Sequence, residues 1–315
     1  MKAFVLDSDG ARLREDWPTP ARKPGWIRVR TRTAGICNTD LELLRGYMGF
    51  RGVLGHEFVG TALDGPLAGS RVVGGINFSC GDCPICRQGY GRHCPARTVL
   101  GILDADGVFA EEFLIPEGNL LAVPDRIEDR AAVFTEPVAA ACEILEQLGS
   151  SFDRGRALVL GDGKLGLLVS QTLASEGFDV TLTGHHVDRL AWLERRGVRL
   201  AGQIALAEKF PLTVEATGSA AGLEAAIRAT APRGTLVLKS TVAAKHKVDL
   251  APLVIDEIRL LGSRCGPFEP ALRKLASGAV VTEEMVDSVY DLSEIQRAIE
   301  RASGTGVMKV LVENR

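Results

Sequence analysis

Cys37, His56 and Glu57 are the residues of this chain best suited to hold a catalytic metal. A thiolate, an imidazole and a carboxylate can bind zinc together and leave one position free for water or substrate. His56 is one of five histidines in 315 residues, and it stands in Gly55-His56-Glu57-Phe58-Val59-Gly60 with Cys37 nineteen residues upstream. Alone, a His-Glu pair reads more readily as an ordinary histidine beside an acid. The rest of the chain decides which reading survives.

A second group of ligands is local. Cys80, Cys83 and Cys86, then Cys94, put four of the seven cysteines into fifteen residues. Such crowding in a cytosolic chain points to metal rather than to disulfides. Four thiolates close a tetrahedral zinc shell, so nothing remains for substrate and the role is structural. An iron–sulfur cluster could use the same ligands. A zinc-ribbon nucleic-acid module has similar spacing, but a net charge of −3 leaves no basic surplus for a polyanion.

The third feature is Leu158-Val159-Leu160-Gly161-Asp162-Gly163-Lys164-Leu165-Gly166, an apolar strand, a G-x-G-x-x-G turn and the start of a helix. That context makes it a dinucleotide fingerprint. Gly161 makes the turn, Gly163 admits the pyrophosphate to the backbone, and Gly166 lets helix and strand pack closely. The first helical residues, Lys164 and Leu165, then offer amides to the phosphates. Lys164 would add a cation there, and Asp162 would oppose it. NAD enzymes carry an acid about 20 residues further on, at the end of the second strand. Here that strand ends in Thr183-Gly184-His185-His186, with Arg189 just beyond. Glycine replaces the acid and basic side chains follow, so NADP is expected in preference to NAD.

These groups need two kinds of scaffold. The first half is β-rich and loop-rich, with strands expected at Ala3–Leu6, Trp26–Thr33, Phe58–Ala62, Ser70–Gly74 and Phe109–Ile115. Residues 131–148 read as a helix entered through Glu136-Pro137. From Arg156, strands at 157–160, 179–183, 212–216, 235–239 and 258–261 alternate with helices at 165–176, 188–196 and 222–230. That alternation implies a parallel sheet covered on both faces. The last segment, from Pro270, carries two helices and the strand Val307–Val312, and is expected to return to the first half. No apolar run is long enough to span a membrane. The first residues read as a strand rather than a signal peptide, so a cytoplasmic location is expected.

Two metal patterns and a glycine turn in this order resemble the zinc-containing medium-chain alcohol dehydrogenases, in the style of the sorbitol, threonine and glucose dehydrogenase branch. The matching motifs are Gly35-Ile36-Cys37-Asn38-Thr39-Asp40, Gly55–Gly60, the four-cysteine loop, Glu136-Pro137-Val138-Ala139 and Gly161–Gly166. The resemblance covers essentially the whole chain. It implies an α/β protein with a GroES-like catalytic domain (1–139), a doubly wound Rossmann domain (140–264) and a C-terminal return (265–315), with two zinc ions per chain and NAD(P). It implies that Cys37 and His56 bind the catalytic zinc and that Glu57 is a further or exchanging ligand. Glu136 falls where the family has its remaining ligand, or a carboxylate holding the zinc-bound water. Asp40 matches the residue that orients the zinc histidine. Zinc would act as a Lewis acid on an alcohol oxygen while hydride passes to the nicotinamide. Thr39 matches the hydroxyl that takes the alcohol proton. Glu42 stands where many relatives carry a relay histidine. It either relays the proton or decorates a charged helix face.

The resemblance also implies a small alcohol or ketone as substrate, with no nucleic acid or membrane partner, and a homodimer or homotetramer paired through the Rossmann sheet. Thr235–Lys239 is the candidate edge for that pairing. Tyr47, Met48 and Phe50 are candidates to line the substrate pocket, and Cys142 and Cys265 read as small buried residues. The chain is short between Gly60 and Arg71 and between Gly266 and Gly278, which leaves the substrate class open. A specialised ketone reductase and a non-catalytic nucleotide-binding protein are the alternatives.

Overall fold

A computed structural model describes residues 1–202, 208–241 and 247–314. It divides into two compact units. One comprises Met1–Glu136 with Thr282–Arg315, and the other Pro137–Val281.

The first unit is built around one long strand, Trp26–Gly35. Its buried positions, Ile27, Val29, Thr31 and Thr33, alternate with more exposed arginines before both faces become buried at Ala34 and Gly35. That change from period two to continuous burial marks the end of the strand that enters the core. The strand pairs antiparallel with Glu57–Ala62, with Glu112–Pro116 and with Lys309–Glu313. Lys309–Glu313 in turn pairs parallel with Val286–Asp291, a strand that the sequence pattern did not suggest. Arg71–Gly74 and Leu120–Ala122 complete the seven-stranded sheet on its other side. A smaller sheet joins Gly10–Arg14, Ala3–Asp7 and Gly52–Val53.

The second unit has one six-stranded parallel sheet. Its spatial order is Val198–Ala201, Asp179–Thr183, Arg156–Leu160, Phe210–Glu215, Thr230–Leu238, Arg259–Gly262. Numbered along the chain, that is 3-2-1-4-5-6, the dinucleotide-binding order whose switch point lies at the end of the first strand. Leu158, Leu160, Phe210, Ala226, Ile227 and Leu236 form its apolar core. The predicted α/β class with a doubly wound sheet is therefore what is seen.

Three expectations need correction. Thr235–Lys239 is not the sheet edge, because Arg259–Gly262 pairs outside it. Residues 188–196 do not form an α-helix; two short 3-10 turns, Val187–Arg189 and Ala191–Arg196, take its place. The chain returns to the first unit at Thr282, not at 265. The reason is the helix Phe268–Ala276, which is fastened to the second unit. Lys274 Nζ donates to Ser175 Oγ at 2.8 Å and to Glu176 Oε1 at 2.7 Å. Gln171 then grips the backbone of Val281 in both directions, at 3.1 and 2.9 Å. On the other side the helix Thr135–Leu148 places the first boundary at Glu136, close to the expected 139. Among the described residues no helix is long and apolar enough to cross a membrane.

Candidate functional site

The long strand ends at Gly35, and two residues later Cys37 caps the helix Asn38–Leu44. Strand Glu57–Ala62 runs alongside it, with Glu57 opposite Gly35 in the ladder. This register delivers the first ligand group. The ligand atoms of Cys37, His56 and Glu57 all lie within 4.8 Å of one another. His56 and Glu57 are buried and Cys37 half-buried. Glu136, in the first turn of its own helix, is half-buried and is not one of the three.

Asp40 ties the two ligand loops together. It is fully buried. Its Oδ2 accepts the Cys37 amide at 2.8 Å, and its Oδ1 accepts the Gly55 amide at 3.2 Å. The same Oδ1 lies 3.3 Å from His56 Nδ1, which leaves Nε2 as the ring atom to meet a metal. Burial works against a charged imidazole here. Asp40 and Cys37 outweigh it and raise His56 well above the ordinary histidine range. Surroundings that hold a proton so firmly also suit a dication. Thr39 is half-buried, and its Oγ1 accepts from the Cys37 thiol at 3.7 Å.

Lys309 is the residue that the sequence did not reveal. It is the first residue of the C-terminal strand, and its ammonium forms an ion pair with Glu57 Oε2 while both side chains are almost wholly buried. Burial opposes its charge, but Glu57 and Cys37 prevail and its pKa is raised. Gly35 makes the pair possible. A Cβ there would stand 2.4 Å from Glu57 Oε2 and 3.3 Å from Lys309 Cδ. The available signal was a lone lysine opening the run Val310-Leu311-Val312, which gives no hint of its partner.

Other expected residues fall further out. Glu42 pairs with Arg45 at 2.6 Å on the helix face. Tyr47 and Met48 are exposed, whereas Phe50 is buried. Cys142 is buried, and burial pushes its thiol up to about 11; Cys265 is only half-buried.

The four loop cysteines converge. Sulfur separations are 3.4 Å for Cys83–Cys86, 3.5 Å for Cys80–Cys94, and 3.9 Å for both Cys83–Cys94 and Cys80–Cys86. Zinc–sulfur bonds of about 2.3 Å in a tetrahedron require edges of about 3.8 Å. The donor set and its spacing therefore fit a closed zinc site.

The glycine-rich turn has the shape its sequence promised. Gly161 has φ +112°, and its amide reaches Thr183 O at 2.9 Å across to the second strand. A Cβ on Gly166 would lie 1.8 Å from Gly161 O, so strand end and helix touch backbone to backbone. Gly163, which precedes the helix Lys164–Ala174, faces open space. That leaves room for a pyrophosphate over the amides of Lys164 and Leu165. Gly166→Ala should therefore abolish measurable dinucleotide binding; a variant that still binds NADPH within about threefold of wild type, about 0.6 kcal/mol, would refute this packing argument. Beyond the second strand, His185, His186 and Arg189 are all exposed.

A dinucleotide-order sheet and a β-rich unit with two groups of residues that could hold a metal are the architecture of a dehydrogenase. The comparisons agree. Residues 23–125 match the alcohol dehydrogenase GroES-like domain, and residues 129–313 match the glucose dehydrogenase C-terminus. D-altritol 5-dehydrogenase of Agrobacterium fabrum is 29% identical over 317 residues, covering 94% of each chain. A zinc-binding dehydrogenase from Sinorhizobium meliloti bound to NADP superposes with a TM-score of 0.87 at 28% identity, covering 99% of this chain and 98% of that one. The RspB alcohol dehydrogenase of Escherichia coli, complexed with NADH, gives 0.88 at 25% identity and 99% coverage of each chain. The chain belongs to the zinc-containing medium-chain alcohol dehydrogenase family.

Proposed function

We propose that the protein is a zinc- and NADP-dependent dehydrogenase of a secondary alcohol, with a polyol or sugar as substrate class, working in either direction between alcohol and ketone. The observation that carries this reading is the convergence of Cys37, His56 and Glu57, with Asp40 holding both loops behind them. The polyol class is supported by the altritol enzyme among the relatives. When bound, zinc would supply a Lewis acid for the substrate hydroxyl and the dinucleotide a hydride acceptor.

The chain's own residues do the rest. Cys37, His56 and Glu57 hold the catalytic ion, and Asp40 fixes the imidazole. Glu136 is the further carboxylate, either as a ligand or as the acceptor for a bound water. Thr39 Oγ1 takes the substrate hydroxyl proton; Glu42, paired with Arg45, either relays it to solvent or only decorates the helix face. Cys80, Cys83, Cys86 and Cys94 hold the second zinc. Gly161, Gly163, Lys164, Leu165 and Gly166 seat the pyrophosphate. Gly184, His185, His186 and Arg189 receive the 2′-phosphate. Arg189 is the permanently charged member of that group.

Metal analysis with a panel of alcohols, polyols, aldoses and amino alcohols tests the proposal, with NAD and NADP side by side. Two zinc ions per chain, one for each ligand group, and hydride transfer from a polyol are expected. One ion held by the cysteine loop, with no turnover on any substrate, would overturn it.

We also propose a cytoplasmic homodimer or homotetramer paired through the sheet edge Arg259–Gly262. Among the described residues that strand has a neighbour on one side only. Beside it Val254, Ile255 and Leu260 are 78%, 77% and 46% exposed. A second copy adding its own edge would satisfy the free backbone groups and cover these side chains. Val254→Asp with Leu260→Lys should lower the mass measured by light scattering to that of one chain. An unchanged mass would place the interface elsewhere.

A further inference from the structure

The place left by glycine at 184 is filled from the glycine-rich turn. A Cβ on Gly184 would lie 2.2 Å from Asp162 Cγ and 2.5 Å from its Oδ2. Asp162 belongs to the glycine-rich turn after the first strand, and its carboxylate reaches across to the end of the second. There Oδ2 accepts the backbone N–H of His186 and lies 3.7 Å from His186 Nδ1. The Asp162 side chain is only 12% exposed. The next turn starts from the same point, with the Arg189 amide donating to His186 O at 3.0 Å. One half-buried carboxylate therefore sets the course of the segment that carries His185, His186 and Arg189.

We propose that Asp162 is the positioning residue for NADP recognition. It holds the His185–Arg189 segment where the 2′-phosphate arrives. It also occupies the space in which a strand-end acid would otherwise read the 2′-hydroxyl of NAD. Its carboxylate is turned toward the backbone of the segment after the second strand, where the His186 N–H donates to it. This inference rests on the NADP reading above. The competing role has Asp162 itself accepting the ribose hydroxyl. That role would favour NAD and makes the opposite prediction.

The test is binding rather than turnover. NADPH and NADH are titrated by nicotinamide fluorescence into full-length wild type, Asp162→Ala and Asp162→Asn, with thermal melts to confirm folding. Asp162→Ala should weaken NADPH about tenfold, equal to about 1.4 kcal/mol, and NADH less than about twofold. Asp162→Asn keeps an oxygen for the His186 N–H and should recover most of the loss. Tighter NADPH binding by Asp162→Ala, or a loss for NADH as large as that for NADPH, would overturn the positioning role. Tighter binding of NADH than NADPH by wild type would overturn the cofactor reading itself, so the two failures are distinguishable.

Discussion

Lys309→Met should destabilise the first unit by about 3–5 kcal/mol and strip the metal from the Cys37–His56–Glu57 group, because removing one partner of a buried ion pair strands the other charge. Glu57 is 1% exposed and Lys309 2%, so neither charge has water to fall back on. Burial also shields the pair from salt, and the loss should persist at high ionic strength. Urea denaturation and zinc content after gel filtration measure both effects. Lys309→Arg retains the charge and should recover part of the stability. Gly35→Ala attacks the same pair from below, since its methyl would meet the Glu57 carboxylate at 2.4 Å. Overpacking of this kind costs about 1–3 kcal/mol. If Lys309→Met unfolds at the wild-type midpoint and keeps its full zinc complement, the ion pair does not hold the ligand group.

Cys86→Ser should remove one zinc per chain and open the loop around it to proteases. Between Ser79 and Thr98 the only buried residue is Cys94. A stretch with so little apolar burial has no core of its own. Its framework is a single turn of helix, Pro84–Arg87, a 3-10 turn, Gly91–His93, and the two-residue ladder of Asn77–Phe78 with Thr98–Val99. Structural zinc binding releases about 10–16 kcal/mol in small domains, far more than those elements supply. Burial and the neighbouring Cys83 push the Cys86 thiol up to about 11. Limited proteolysis should cut the variant within 79–98 and spare the wild type, while the other zinc remains. Wild-type resistance after the loss of one zinc would show that the loop folds without its metal, and an unchanged zinc content would show that Cys86 is not needed to hold it.

What was legible in the sequence was local. The four cysteines could be read because their ligand spacing is contained in one loop. The glycine turn could be read because its strand and helix flank it directly. Strand order could not, since nothing in residues 235–239 or 259–262 says which lies outside; both are short apolar runs, and only the ladder decides. The return point was placed too early because the helix Phe268–Ala276 has an amphipathic pattern compatible with either unit. The ion pair of Lys274 with Glu176 assigns it. Lys309 was invisible for the same reason on a longer scale. Cys37, His56 and Asp40 carried their meaning in their motifs, but the cation that neutralises Glu57 comes from a strand with no motif at all. At Asp162 the sequence shows only a charge opposing phosphate. The structure shows it bonded instead to the strand end that lacks an acid.

The pairing of Lys309 with Glu57 spans 252 residues of chain. A polypeptide is made from its N-terminus, and its domains fold as they emerge. Cys37, His56 and Glu57 leave the ribosome early, yet the central strand Trp26–Gly35 lacks its neighbour Lys309–Glu313 until the whole parallel-sheet unit has been synthesised. Throughout that interval the nascent chain carries a half-built pocket with an uncompensated carboxylate and an open strand edge. Contacts this distant along the chain are slow to form. Formation of the Glu57–Lys309 pair is therefore a late event in synthesis, waiting for translation of the strand Lys309–Glu313.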